Sequence, residues 1–205
     1  MAHRWLILGA GGHGRSVCDA IAASGDHVVG FLDDALPAGT LVNGLPVLGG
    51  LSLAWDLNRL FEASVKAPPN QVVVAIGNPA LRQTWQQVLE QVAAPLGVVL
   101  HPRASVSATA QLGPGCVVLA GAVVNANASL HQGVLVNSGA VVDHDAICGA
   151  YSQLGVNAAM AGVSRLGPLA CLAPGEVLNC GQTHFAPLEL AARASDPGEG
   201  LTLKP

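Results

Sequence analysis

Two stretches of the chain gather residues able to do chemistry. His144 lies in Val142-Asp143-His144-Asp145-Ala146-Ile147, and a free imidazole titrates near neutrality, which suits it to take a proton. Far upstream, Gly9-Ala10-Gly11-Gly12-His13-Gly14 satisfies G-x-G-x-x-G between an apolar run and a helix-compatible run. Such a turn brings bare main chain and a helix N-terminus up to a phosphate or a sugar. Asp33 and Asp34 close the next apolar run, at the spacing from which a ribose or base is held. Gly77, Asn78 and Arg82 stand where the third strand gives way to a helix, and are placed to complete that pocket. Asn78, before Pro79, is equally an ordinary helix cap.

These residues need positioning, and the chain supplies two different kinds of frame. Residues 1–99 alternate in α/β fashion. Trp5–Leu8, His27–Leu32, Gln71–Ile76 and Gly97–Leu100 read as short buried strands. Arg15–Ala23, Leu51–Ala63 and Pro79–Val92 have helical spacing, while Leu36–Gly49 is loop or irregular strand. Strand and helix in alternation predict a small, Rossmann-like parallel sheet.

From Leu100 the period becomes six. Leu100, Val106, Leu112, Val118, Val124, Leu130, Val136, Val142, Cys148, Leu154, Met160, Leu166, Leu172 and Leu178 are all apolar, without an insertion. Four residues after each stands a small or short side chain, from Ala104 to Ala170, until Glu176 and Gln182 break the rule. A strict period of six fits neither an α-helix nor a hairpin sheet. It fits a solenoid in which three hexapeptides make one coil and coils stack through parallel strands. The predicted β-helix runs over 100–183, with Glu176 and Gln182 marking a terminal coil that meets water. Residues 184–205 read as a C-terminal extension.

Composition agrees and excludes several classes. Hydrophobic residues are 51% and charged ones 11%, so the chain folds; aromatics are only 3%, with 25 glycines, which suits a core of aliphatic side chains between tight turns. A net charge of −4 lacks the basic face of a nucleic-acid binder. No stretch reaches the roughly 18 apolar residues needed to span a bilayer, and the start lacks the shape of a signal peptide. Five cysteines without a C-x-x-C pair point to free thiols in a reducing, cytoplasmic setting.

The repeats, together with GAGGHGRSVCDAI, FLDD, AIGNPALR, HPRASVSATAQLGPG and NSGAVVDHDAICG, resemble the sialic-acid O-acetyltransferase-type sugar acyltransferases. That group includes the enzymes that N-acetylate nucleotide-linked 4-amino sugars. The resemblance covers nearly the whole chain to about residue 182. It implies a left-handed β-helix, a homotrimer with active sites between subunits, acetyl-CoA as acyl donor and no metal. It also implies a nucleotide-sugar acceptor held by Gly9, Gly11, Gly12, His13, Gly14, Asp33, Asp34, Gly77, Asn78 and Arg82, with His13 facing the reactive end.

In the β-helix the resemblance makes His144 the general base and matches Asp145 to the acidic residue that follows it. Successive residues in a strand point apart, so contact between the two requires a turn. Gly162, one 18-residue coil on from His144, is assigned the main-chain N–H that receives the thioester carbonyl. A glycine there lets an acyl group approach the backbone closely. Where relatives often carry a second histidine, this chain has Gln153, which donates a hydrogen bond but carries no proton; it is expected to contact the acyl donor. The usual Gly-x-Pro-Ala ending is replaced by THFAPLELAARASDPGEG.

The expected function is acetyl-CoA-dependent N-acetylation of a nucleotide-linked 4-amino-4,6-dideoxy sugar in surface-glycan biosynthesis. Sugar O-acetylation and a catalytically degenerate binding protein are the alternatives within the fold. A dehydrogenase lacks a second domain for hydride transfer. A zinc enzyme would need about three ligands to converge from among His101, His131, His144 and His184; His131 and His144 fall at different positions within their hexapeptides, with no matching third partner.

Overall fold

The computed structural model describes residues 2–57 and 68–187. They form two compact units, one ending at Gly97 and the other beginning at Val98.

In the first unit, β1 (Arg4–Leu8), α1 (Gly12–Ala23), β2 (His27–Leu32), β3 (Leu41–Val42), β4 (Leu45–Gly49), β5 (Gln71–Val74) and α2 (Pro79–Gln91) follow in order. The sheet order is β3-β4-β2-β1-β5, parallel except for the β3–β4 hairpin. Leu6, Ile7, Leu8, Val72 and Val73 are fully buried, as strands covered on both faces must be. Leu36–Gly49, read as irregular, therefore contains a hairpin: Asn43 and Gly44 both take positive φ, 49° and 76°, the type I′ signature of a two-residue turn.

Two helical readings change. α1 starts at Gly12, three residues before the expected Arg15. Leu51–Asp56 is a 3₁₀ helix, and the remainder of the Leu51–Ala63 reading, with Leu60 and Phe61, falls outside the described residues. Nor does Val99–Leu100 close this sheet. It is β6, the first rung of the next unit, paired with Val117–Val118, and Leu96 bridges to Val72 in its place.

In the second unit two-residue strands recur every six residues from β6 (Val99–Leu100) to β20 (Thr183–His184). Each pairs in parallel with the strand eighteen residues on, as Val123–Val124 does with Val141–Val142 and those with Ala159–Met160. The result is three five-stranded sheets around a prism. The second residue of each rung points inward: Val118, Val136, Val142, Cys148, Leu154 and Met160 are fully buried. The short side chains four residues later fill the corners, Ala122, Ala128, Ala140, Ala146 and Ala158 being inaccessible.

Leu100 is the exception at the first coil: it is 41% exposed while Val99 is buried. At the other end β20 pairs with Arg165–Leu166 and the last rung ends at His184. Glu176 Oε2 accepts the Ala173 N–H at 2.6 Å and Gln182 Oε1 that of Asn179 at 3.2 Å. These exposed side chains satisfy amides of the last coil. Residues 188–205, most of the expected extension, lie outside the described residues.

Candidate active site

β13 (Val141–Val142) leads into the corner that carries His144, and β14 (Ile147–Cys148) leads out of it. Asp145 adopts a left-handed backbone, φ 58°. That turn folds two successive side chains onto one another, which a strand would point apart. His144 Nδ1 lies 2.9 Å from Asp145 Oδ2. The carboxylate fixes the tautomer with the proton on Nδ1, leaving the Nε2 lone pair open.

Nε2 faces Gly162. A Cβ built on Gly162 would stand 2.5 Å from Nε2 and 2.6 Å from Cε1. The imidazole thus occupies the side-chain space that the glycine leaves vacant, directly over bare main chain. Asp145 accepts at Nδ1 while Nε2 stays open, the arrangement of a base with an orienting partner.

The surrounding charges favour the imidazolium. The hydrogen bond His144 donates to Asp145, then the charge of Asp143, raise the His144 pKa above its usual value, against a smaller opposing effect of desolvation. Both carboxylates are held below the usual range. Asp143 is bonded by Asn125 Nδ2 at 2.8 Å and approached by the His144 and Gly162 N–H groups. Asp145 is bonded by His144, and by Asn127 Nδ2 at 3.3 Å. Asn125 and Asn127 escaped the sequence reading. The signal was present in the eighteen-residue offset, which puts each asparagine one coil before its aspartate. Gln153 opens β15 (Gln153–Leu154), in a different sheet from β13.

The first unit has its own cleft, of about 370 Å³, lined among others by Gly11, Gly12, His13, Asp33, Asp34 and Gly77. Gly9 and Gly14 do not line it but allow the close packing of the turn that carries Gly11 and Gly12. Gly9 has φ +104° and a Cβ there would meet the Ala75 carbonyl oxygen at 2.7 Å; a Cβ on Gly14 would run into the Gly9 carbonyl oxygen. Gly11 caps α1 without a side chain, so the first-turn N–H groups are left for a ligand. Arg15, which the sequence reading passed over, lays Nη2 beside Gly12.

His13 lines this cleft with its Nε2 buried and without a partner among the described residues. Burial, and then the charge of Arg82, push its pKa down to about 4, so it is neutral at physiological pH. Arg82 is fully buried, Nη1 donating to the Ile76 carbonyl at 2.8 Å, and it braces the β5–α2 loop. Asn78 caps α2, Oδ1 accepting the Leu81 N–H at 3.0 Å. Asp33 accepts the N–H groups of Ala10 and Ala35, and Asp34 that of Leu51. The aspartates therefore tie the glycine turn, the loop after β2 and the 3₁₀ helix together around the cleft.

Among the described residues no three His, Cys, Asp or Glu side chains group as a metal site would require. No disulfide joins the described cysteines. No helix there is long and apolar enough to cross a membrane.

Residues 4–89 match the PglD N-terminal domain family. No curated protein matches the chain. Among solved structures, the acetyltransferase domain of PglB from Neisseria gonorrhoeae FA1090 is 31% identical, with a TM-score of 0.73 over 90% of this chain and 97% of that one. The same domain in complex with acetyl coenzyme A gives 31% and 0.74, over 91% and 97%. PerB from Caulobacter crescentus, in complex with CoA and GDP-perosamine, is 28% identical with a TM-score of 0.72, over 87% of this chain and 90% of that one. The chain belongs to the hexapeptide-repeat acetyltransferases that carry a PglD N-terminal domain, and its second unit is a left-handed parallel β-helix.

Proposed function

We propose that this protein transfers the acetyl group of acetyl-CoA to the amine of a nucleotide-linked 4-amino-4,6-dideoxy sugar, in the cytoplasm and for surface-glycan assembly. The observation that carries the reading is His144 Nε2, oriented through Nδ1 by Asp145 and aimed over the main chain of Gly162. In it, Nε2 takes the proton as the amine nitrogen bonds to the thioester carbon. The Gly162 N–H, which also approaches the Asp143 carboxylate, receives the developing oxyanion. As the carbon–sulfur bond breaks, the imidazolium returns the proton to the departing thiolate.

The relatives support the choice of substrates: one was solved with acetyl coenzyme A and one with CoA and GDP-perosamine. In the first unit, the α1 N-terminus, capped by Gly11 without a side chain, and Arg15 suit a diphosphate, and neutral His13 a polar group of the nucleotide sugar. A homotrimer is the proposed working form.

The test is thiol release from acetyl-CoA with a panel of acceptors, the products weighed by mass spectrometry. Nucleotide-linked amino sugars are expected to gain one acetyl group. Turnover with free sialic acid or another hydroxyl acceptor alone would replace N-acetylation by O-acetylation. Binding of both substrates without any thiol release would mark a degenerate binding protein.

A further inference from the structure

Valine is poorly suited to a left-handed backbone, because its two Cβ branches crowd the neighbouring carbonyls. Val163 nevertheless has φ 54°. Among the described residues it is the β-branched one at a non-glycine position of positive φ, and the equivalents at the same corner that share this φ are Asn127, Asp145 and Gly181, residue types that tolerate it. Two other large apolar side chains share it, Tyr151 and Leu169, but these are 1% and 4% exposed, so packing within the chain offsets their strain. Val163 is 47% exposed. Burial within the chain offsets its strain only in part, and such strain concentrates where a ligand is clamped.

The position of Val163 in the corner says what it faces. It follows Gly162 as Asp145 follows His144. The two turns are stacked copies: Asp145 N–H bonds the Ala126 carbonyl and Val163 N–H the His144 carbonyl, each at 3.0 Å, with φ 58° and 54°. In the first turn this conformation folds the side chain of residue 145 back onto that of residue 144. In the second the same backbone sets Val163 beside Gly162 as Asp145 is set beside His144. His144 Nε2 enters the space that Gly162 leaves vacant.

We propose that Val163 is the apolar wall of the acyl site: its methyl groups pack on the methyl of the transferred acetyl group, limit the length of acyl chain accepted, and are the reason a strained backbone is retained there. The inference rests on the acetyl-transfer reading of His144 and Gly162.

Steady-state thiol release with acetyl-, propionyl- and butyryl-CoA tests it, using wild type, Val163→Gly and Val163→Leu. Opening the wall in Val163→Gly raises the butyryl-to-acetyl ratio of kcat/KM about tenfold, the scale of methylene discrimination in an apolar pocket. Thickening it in Val163→Leu lowers kcat/KM for acetyl-CoA by a similar factor and leaves the acceptor KM unchanged. Circular dichroism and sedimentation of both variants match wild type. A donor ratio that neither variant moves overturns the inference alone. Altered sedimentation with unaltered selectivity also overturns it, assigning Val163 to a contact between copies. A wild type that releases no thiol from any of the three donors overturns the parent reading and this inference with it.

Discussion

A methyl group added at position 162 would strike the end of one side chain, the His144 ring, and no main-chain atom closer. Gly162→Ala is therefore expected to fold and melt like wild type while displacing the base; a shift of about 1 Å costs on the order of 100-fold in kcat/KM. The charges around His144 make a separate prediction. Asp145 and Asp143 raise its pKa, and a base acts only when neutral, so activity falls as pH drops through that raised value. Asp145→Asn and Asp143→Asn are expected to move the acid limb of the kcat/KM profile to lower pH, Asp145→Asn by more, since its hydrogen bond is the larger cause. Ser152 is fully buried with no partner for Oγ among the described residues. Ser152→Ala should stabilise the protein by about 1 kcal/mol in urea unfolding, because it removes an unsatisfied hydroxyl.

At the scale of elements, the rungs between the first and last each contribute one inward apolar residue that neighbouring coils enclose. Leu154 is inaccessible, and Leu154→Ala should cost about 2–5 kcal/mol in the same unfolding measurement. This element was legible because its period repeats at every coil, so the pairing of residue 124 with 142 and 160 follows from counting. The corner of His144 and Gly162 came from the same count. The Nδ1–Oδ2 contact did not, because it depends on Asp145 taking a left-handed φ that composition does not announce.

The α/β elements were less legible. A two-residue hairpin at Asn43–Gly44 inside a proline- and glycine-rich stretch gives strands too short to show alternation. Val99–Leu100 reads equally well as a sheet strand or a rung, since a buried run carries no mark of its partner. Arg82 carried the charge of a ligand-binding residue, yet it is buried against loop carbonyls.

For the whole molecule, the proposed homotrimer predicts sedimentation equilibrium at three times the 20.6 kDa chain mass. A monomer would leave the β-helix without the neighbouring copy that the proposal assigns to it. The proposed transfer depends on one imidazole taking a proton, and the most direct measurement is kcat/KM for acetyl transfer to a nucleotide-linked amino sugar, from about pH 5 to 9, in wild type and His144→Ala. The predicted result is a loss of about 10²- to 10⁴-fold in the variant, together with disappearance of the acid limb. A variant that keeps the wild-type rate and the same acid limb would contradict it.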